Sequence, residues 1–229
     1  MRIAELFQSI QGEGKLAGVP SVFVRASGCN LRCAWCDTPY ASWHPEGEDR
    51  TVDEIVQAVQ EFQCRHVVLT GGEPMIMPDI AELCDRLHAA DLHITLETAA
   101  TVFKPVAIHL ASLSPKLSNS TPVGPGKERF AQLHEKTRIN FEAIQQFIDI
   151  APQMQLKFVV SSEADLGEIK QILSRLRGWE PSDVLLMPEG VDARTLHERA
   201  SWIIDLCKKT GYRYCPRLHI ELYGNRRGT

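Results

Sequence analysis

Apolar runs of strand length alternate with stretches of helical spacing along most of this chain. The segments "SVFVRAS" (21–27), "HVVLTGG" (66–72), "HITLETA" (93–99), "VAIHLASLSP" (106–115), "MQLKFVVSS" (154–162), "DVLLMPEG" (183–190) and "YRYCPRLHIELYG" (212–224) read as strands. Between them, "TVDEIVQAVQEF" (51–62), "IMPDIAELCDRLHAA" (76–90), "RINFEAIQQFID" (138–149), "EADLGEIKQILSRL" (163–176) and "DARTLHERASWIIDLCKKT" (192–210) read as helices. The first of these opens with Thr51 and has Glu54 three residues later, the pattern of a capping box. The stretch "KLSNSTPVGPGKERFAQLHEK" (116–136) breaks the rhythm. Its Pro, Gly and Ser residues predict a loop with at most a short helix.

Strands alternating with helices imply parallel pairing through right-handed crossovers. The chain offers six or seven such steps, fewer than the eight of a closed barrel. The expectation is an α/β fold: an incomplete, (β/α)6-type partial TIM barrel forming one domain over residues 1–229. In such folds the ligand site lies at the carboxyl ends of the strands. That rule marks residues 27–36, 70–74, 97–100, 114–116 and 187–190, together with His219.

Composition narrows the class without changing it. The 229 residues are 44% hydrophobic and 24% charged, ordinary for a soluble globular protein. A net charge of −4 provides no bulk basic field, so no nucleic-acid partner is expected. No apolar run approaches the length of a membrane span, and "MRIAELFQSIQGEG" has no apolar core of signal-peptide length. The expected location is the cytoplasm, where thiols stay reduced. The odd number of cysteines, seven, also argues against a disulfide framework.

Three of those cysteines, Cys29, Cys33 and Cys36, crowd into "GCNLRCAWCDTPY" (28–40). Three thiolates do not close a tetrahedral zinc site unless a fourth ligand, such as His44, is supplied. Three thiolates on a [4Fe–4S] cluster leave one iron open to a small molecule. Free thiols, zinc and an iron–sulfur cluster all remain open on spacing alone. The other four, Cys64, Cys84, Cys207 and Cys215, lack cluster-like spacing and read as buried small hydrophobes.

The spacing Cys29-x3-Cys33-x2-Cys36, after a strand and with an aromatic at Trp35, resembles the radical S-adenosylmethionine superfamily. The resemblance implies a [4Fe–4S] cluster on Cys29, Cys33 and Cys36. It also implies S-adenosyl-L-methionine at the open iron, cleaved to a 5′-deoxyadenosyl radical. Trp35, Cys36 and Asp37 then lie beside that cofactor. "LTGGEP" (69–74) resembles the superfamily segment that binds the cofactor's amino group, which implicates Gly72 and Glu73. By the same resemblance, Glu97 in "LETAAT", Ser114, Pro115 and Lys116 in "LSPK", and Met187, Pro188, Glu189 and Gly190 in "MPEG" contact its ribose, carboxylate and adenine.

The amino-terminal "ELFQSIQGEGKLAGVPSVFVR" (5–25), with "CAWCDTPY" (33–40) and the ending "RLHIELYGNRRGT" (217–229), resembles one branch, the 7-carboxy-7-deazaguanine synthase family. That family contracts the ring of 6-carboxy-5,6,7,8-tetrahydropterin with loss of ammonia, on the route to queuosine. The resemblance implies Mg2+ held by Thr38 and completed by the substrate carboxylate. It also implies an electron donor such as flavodoxin or ferredoxin, and a homodimer. A pterin presents a guanine-like edge and a carboxylate. Arg25 offers a fork for the carboxylate. Ile10, Gln11, Gly12, Glu13, Thr70 and His219 are candidates for the ring edge, with Thr229 as a further candidate through its terminal carboxylate. No side chain is assigned as an acid or base. Two other readings compete: an activating enzyme that makes a radical on a protein partner, and a zinc or iron–sulfur binding module without catalysis. The first has no need for magnesium, and the second leaves "TGGEP" and "LSPK" without a purpose.

Overall fold

A computed structural model describes residues 1–229. Nine strands form one sheet in the order β3-β1-β2-β4-β5-β6-β7-β8-β9. They are β1 Arg2–Ile10, β2 Pro20–Ala26, β3 Glu48–Asp49, β4 His66–Gly71, β5 His93–Thr98, β6 Leu110–Leu113, β7 Gln153–Val160, β8 Val184–Pro188 and β9 Arg213–Tyr214. From β2 to β9 every neighbouring pair is parallel. At the other end β1 is antiparallel to both β2 and β3. The end strands β3 and β9 do not pair with each other, so the sheet is an open, incomplete barrel. Six parallel strands of four or more residues carry it, with β9 a two-residue stub.

The helices are α1 Pro39–Ser42, α2 Val52–Glu61, α3 Ile80–Ala89, α4 Glu128–Thr137, α5 Phe141–Ile150, α6 Asp165–Leu173, α7 Ala193–Thr210 and α8 Leu218–Tyr223. The capping box at Thr51 forms: its hydroxyl accepts from Glu54 N at 3.2 Å, and the Glu54 carboxylate accepts from Thr51 N at 2.8 Å. In α7, Asp192 caps the start and Gly211, with φ 78°, ends the helix in the left-handed conformation that glycine tolerates. The buried faces of these helices pack on the sheet through Ile55, Val59, Leu83, Leu87, Phe147, Ile169 and Ile203. No helix is long and apolar enough to cross a membrane.

Three expectations differ from the structure. Residues 2–10 form a strand the pattern does not announce. Their apolar positions Ile3, Leu6, Phe7 and Ile10 have helical spacing, and pairing with β2 overrides it. Residues 116–136 are not merely a loop, because α4 is a full ten-residue helix. Its only buried residue is His134, so it lacks the apolar stripe that reveals most helices. Residues 212–224 are not one strand. Pro216 cannot donate to a ladder, β9 stops at Tyr214, and the chain turns into α8.

Candidate active site

The carboxyl ends of the parallel strands surround one cleft. It is lined by all three clustered cysteines and by Ile10, Gln11, Gly12, Glu13, Arg25, Trp35, Asp37, Thr38, Thr70, Gly72, Glu97, Ser114, Lys116, Met187, His219 and Thr229. The sequence pattern thus selects residues from remote segments that the fold brings together.

The cysteine loop leaves β2 and enters α1. Its shape is set by contacts on its outer side. Trp43 Nε1 donates to Cys33 O at 3.0 Å, Ala34 N to Ser120 O at 2.8 Å, and Trp35 Nε1 to Asn119 O at 3.1 Å. All seven cysteines are free thiols. Burial pushes Cys29 up to about 12 and Cys33 up to about 11, so without metal both stay protonated. Nowhere do three His, Cys, Asp or Glu side chains converge on a single ion position. Three thiols lining one cleft supply the three ligands of a cluster with one open iron but not the four of a structural zinc, and His44 is exposed outside the cleft. Of the remaining cysteines, Cys84, Cys207 and Cys215 are buried as expected, whereas Cys64 is only half-buried.

The glycines of "TGGEP" serve a close backbone approach. A Cβ on Gly72 would lie 2.1 Å from Gly28 O and 2.4 Å from Ala41 O. Gly71 has φ 142°, and its Cβ would lie 2.2 Å from Ala26 O. Gly72 N and Glu73 N then donate to Ala26 O at 3.0 Å and Gly28 O at 2.9 Å, which ties the end of β4 to the cysteine loop. Glu73 itself turns away from the cleft. Its carboxylate is fully buried and accepts from Thr98 Oγ1 at 2.6 Å, Ala99 N at 2.8 Å and Met75 N at 3.1 Å. These bonds organise the β5 end, where Thr98 and Ala99 line the cleft.

At the later strand ends, Lys116 Nζ donates to Ser114 Oγ at 2.8 Å and stands 5.8 Å from the Trp35 ring centroid. Pro115, between them, is buried outside the cleft. Of the 187–190 segment only Met187 reaches the cleft. Pro188 ends β8, Glu189 pairs with Arg199, and Gly190 O accepts from Arg217.

The opposite wall is polar and connected. Gln11 Nε2 donates to Glu97 at 3.1 Å, Thr70 Oγ1 donates to the other Glu97 oxygen at 2.9 Å, and Gln11 Oε1 accepts from Glu13 N at 3.0 Å. Glu97, expected beside the cofactor ribose, is therefore engaged by two residues expected at the substrate. Glu13 pairs with Lys157, and with Arg217 Nε at 3.0 Å; Arg217 pairs in turn with Asp37. Four alternating charges thus join β7, the 11–19 loop, the carboxyl-terminal segment and the cysteine loop. Burial alone would raise the Glu13 carboxyl, yet Lys157, Arg217 and His219 hold it well below the usual carboxylate range. Asp37 is likewise held low, against its burial, by Arg217. Lys157 and Arg217 were not singled out from the sequence. A lysine in the middle of the apolar run "MQLKFVVSS" is the available signal, since a buried strand lysine needs a partner.

Arg25 lines the cleft and donates from Nε to Glu5 at 2.8 Å, and Tyr40 OH donates to the same Glu5 oxygen at 2.7 Å. Its two terminal nitrogens have no partner within the chain and remain for an anion. His219 sits on α8, not on a strand end, and fits there because residue 12 is glycine: a Cβ would come within 1.9 Å of His219 Nδ1. Burial lowers the His219 pKa, favouring neutral imidazole. Thr38 precedes α1 without capping it, and its hydroxyl lies 3.8 Å from Cys36 Sγ. The carboxyl-terminal tail returns over the site, with Asn225, Arg226 and Thr229 in the wall. Arg227 anchors it, stacked 3.6 Å from the Tyr40 ring centroid and paired with Glu46 at 2.9 Å.

A partial barrel with three loop thiols on its rim defines a class, and the comparisons agree with it. Residues 23–163 match the family model described as "Radical SAM superfamily", and the chain belongs to that superfamily. A 7-carboxy-7-deazaguanine synthase of Rhodopirellula baltica is 45% identical over 227 residues, covering 99% of this chain and 88% of that protein. One from Halobacterium salinarum is 44% identical over 233 residues, covering 97% and 90%. By these relatives the chain belongs to the 7-carboxy-7-deazaguanine synthase family. The crystal structure of QueE from Escherichia coli superposes with a TM-score of 0.70 at 24% identity, covering 95% of this chain and 94% of that one, and supports the fold. The peptide-binding SuiB of Streptococcus suis shares the fold more distantly, with a TM-score of 0.57 at 12% identity, covering 84% of this chain and 47% of that one.

Proposed function

We propose that this chain, acting as one domain, converts 6-carboxy-5,6,7,8-tetrahydropterin to 7-carboxy-7-deazaguanine with loss of ammonia. The relatives' shared name supports the product. The observation that carries the reading is the meeting, in one cleft, of three cluster-type thiols with Gln11, Glu13, Arg25, Thr70 and His219. A cleft lined by these polar side chains suits a small heterocycle better than a protein chain.

Cys29, Cys33 and Cys36 would hold the [4Fe–4S] cluster, and Trp35, Gly72, Ser114, Lys116 and Met187 would flank S-adenosyl-L-methionine. Bound there, the pair supplies a hydrogen-abstracting 5′-deoxyadenosyl group at the pterin C6. The remaining work is positioning. Arg25 presents two free guanidinium nitrogens to the substrate carboxylate, while Glu5 and Tyr40 fix the fork's direction. Glu13, fixed as an anion between Lys157 and Arg217, accepts N–H groups of the pyrimidine edge. Gln11 and Thr70, held by Glu97, and neutral His219 complete that edge. Thr38 would hold Mg2+ through its hydroxyl oxygen, and the ion would offset the negative charge of the substrate carboxylate. The carboxyl-terminal tail screens the cleft from water. The donor of the activating electron is a flavodoxin or ferredoxin, and the assembly is a homodimer.

The test is an anaerobic assay of cluster-loaded protein with reductant, Mg2+, S-adenosylmethionine and the carboxytetrahydropterin, read by mass spectrometry. The expected product is 7-carboxy-7-deazaguanine, lost in Cys33→Ala. An intact cluster that yields 5′-deoxyadenosine but no deazaguanine would refute the pterin assignment and leave the radical chemistry standing.

A further inference from the structure

At the carboxyl ends of β7 and β8 the cleft wall is apolar. Val159 and Met187 are register partners on these adjacent parallel strands, so their side chains leave the sheet on one face. Both line the cleft. Trp35, carried between Cys33 and Cys36 by the cysteine loop, packs against the cluster they form with Leu185 and Cys215. A flat aromatic base stacks on a shelf of this kind. An indole on a loop contributes most to such stacking when its plane is already held, because immobilising a side chain on binding costs affinity.

Asn119 does the holding. It lies in the 3-10 turn Ser118–Ser120, three residues after Lys116, and does not itself line the cleft. Trp35 Nε1 donates to Asn119 O at 3.1 Å and to Asn119 Oδ1 at 3.2 Å. Asn119 Nδ2 donates in turn to Val159 O at 3.1 Å and to Asp165 Oδ2 at 2.9 Å. Asp165 is buried at the start of α6, and the same oxygen accepts from Ser161 N at 2.7 Å and Ser162 N at 3.1 Å. Both amide hydrogens and the amide oxygen of Asn119 are therefore engaged. A flipped amide would set N–H against the indole N–H and oxygen against a carboxylate, so only one orientation is satisfied. A bracket of hydrogen bonds thus runs from the β7–α6 turn to the edge of the Trp35 ring.

We propose, on the reading that Trp35 flanks S-adenosylmethionine, that Asn119 is a positioning residue for that cofactor. It touches no ligand and acts through the indole N–H. Its amide fixes the ring, so the adenine base meets a shelf of Trp35, Val159 and Met187 that is already in place.

The test uses the full cluster-loaded chain with its cluster oxidised, so that bound S-adenosylmethionine is not cleaved. Anaerobic equilibrium dialysis gives the Kd for S-adenosylmethionine, and iron per chain is measured beside it. Asn119→Ala is expected to raise Kd about fivefold with iron per chain unchanged, because the backbone carbonyl of residue 119 still accepts from the indole. Asn119→Asp, which sets a carboxylate against Asp165, is a second variant with at least the same expected loss. Trp35→Phe keeps an aromatic ring and drops the N–H. In that background Asn119→Ala should add less than about a twofold change, since the bond it acts through is already gone. Unchanged Kd in both Asn119 variants would overturn the proposal. So would an undiminished loss in Trp35→Phe/Asn119→Ala, or a fall in iron per chain in both Asn119 variants, which would assign Asn119 to loop folding. Trp35→Ala separates the two readings. Unchanged Kd there would defeat the placement of Trp35 beside the cofactor, and this inference with it. Weakened binding there, with the Asn119 variants unaffected, would defeat this inference alone.

Discussion

Replacing Glu13 by Gln keeps the shape of the side chain and removes the one anion that Lys157 touches. Lys157 is 5% exposed, so its ammonium would be left in the wall without a counter-charge. At the 3.0 Å that separates Arg217 Nε from Glu13, an ion pair at an effective dielectric of ~20 is worth about 5 kcal/mol before desolvation. Desolvation cancels much of that, and what a substitution reads is the stranded partner, about 3–5 kcal/mol for a buried pair broken on one side. Arg217 keeps Asp37 and Gly190 O, so the cost falls on Lys157 and belongs near the lower end, about 3 kcal/mol. Lys157→Met leaves Glu13 with Arg217 and should cost about 1–2 kcal/mol. The double variant strands no charge. Its loss should fall short of the sum by about 2 kcal/mol or more. Anaerobic urea denaturation of the cluster-loaded proteins, followed by tryptophan fluorescence, gives the four free energies. A coupling below about 0.5 kcal/mol would refute the view of Glu13 as the shared anion of the network.

Other consequences are equally direct. Gly72→Ala drives a Cβ into Gly28 O of the cysteine loop and Ala41 O of α1, so iron per chain after reconstitution should fall by more than half; unchanged iron content would contradict the packing described for Gly72. Arg25→Lys keeps the charge and loses the fork, so KM for the pterin should rise about tenfold with little change in kcat, equivalent to about 1.4 kcal/mol. His134, lowered to about 4 by burial, is neutral in the folded chain, whereas its unfolded value is near 6.5. Its stabilisation is complete above about pH 6.5 and is lost as pH falls toward 4, because only the unfolded chain takes up the proton in that window. His134→Gln should flatten the decline of the urea midpoint between pH 7 and 5, and equal slopes in both proteins would count against it.

The cysteine loop, "TGGEP" and "LSPK" were legible because each motif is short in sequence and its spacing is itself the chemistry. The parallel strands were legible for a similar reason, as unbroken apolar runs between helical ones. The charge network was not. Lys157, Arg217 and Asp37 meet Glu13 or one another across 144, 204 and 180 residues, and no local pattern records such a meeting. The buried contacts of the Glu73 carboxylate with Thr98, Ala99 and Met75 were not legible either, for Thr98 and Ala99 at the β5 end lie 25 and 26 residues away. Leu218, Ile220 and Leu222 alternate as a strand would, yet Gly12 leaves room for the His219 ring only because α8 packs there. The helix α4 hid because a single buried histidine holds it.

The most direct test of the central claim counts two products in one anaerobic reaction, 7-carboxy-7-deazaguanine and 5′-deoxyadenosine. In the proposed reaction the pterin gives up its C6 hydrogen and takes it back, which would regenerate the cofactor. The account predicts many deazaguanine molecules per 5′-deoxyadenosine released, and retention of a C6 deuterium label in the product or its exchange into S-adenosylmethionine. One 5′-deoxyadenosine released for every deazaguanine formed, or 5′-deoxyadenosine with no deazaguanine at all, would contradict it.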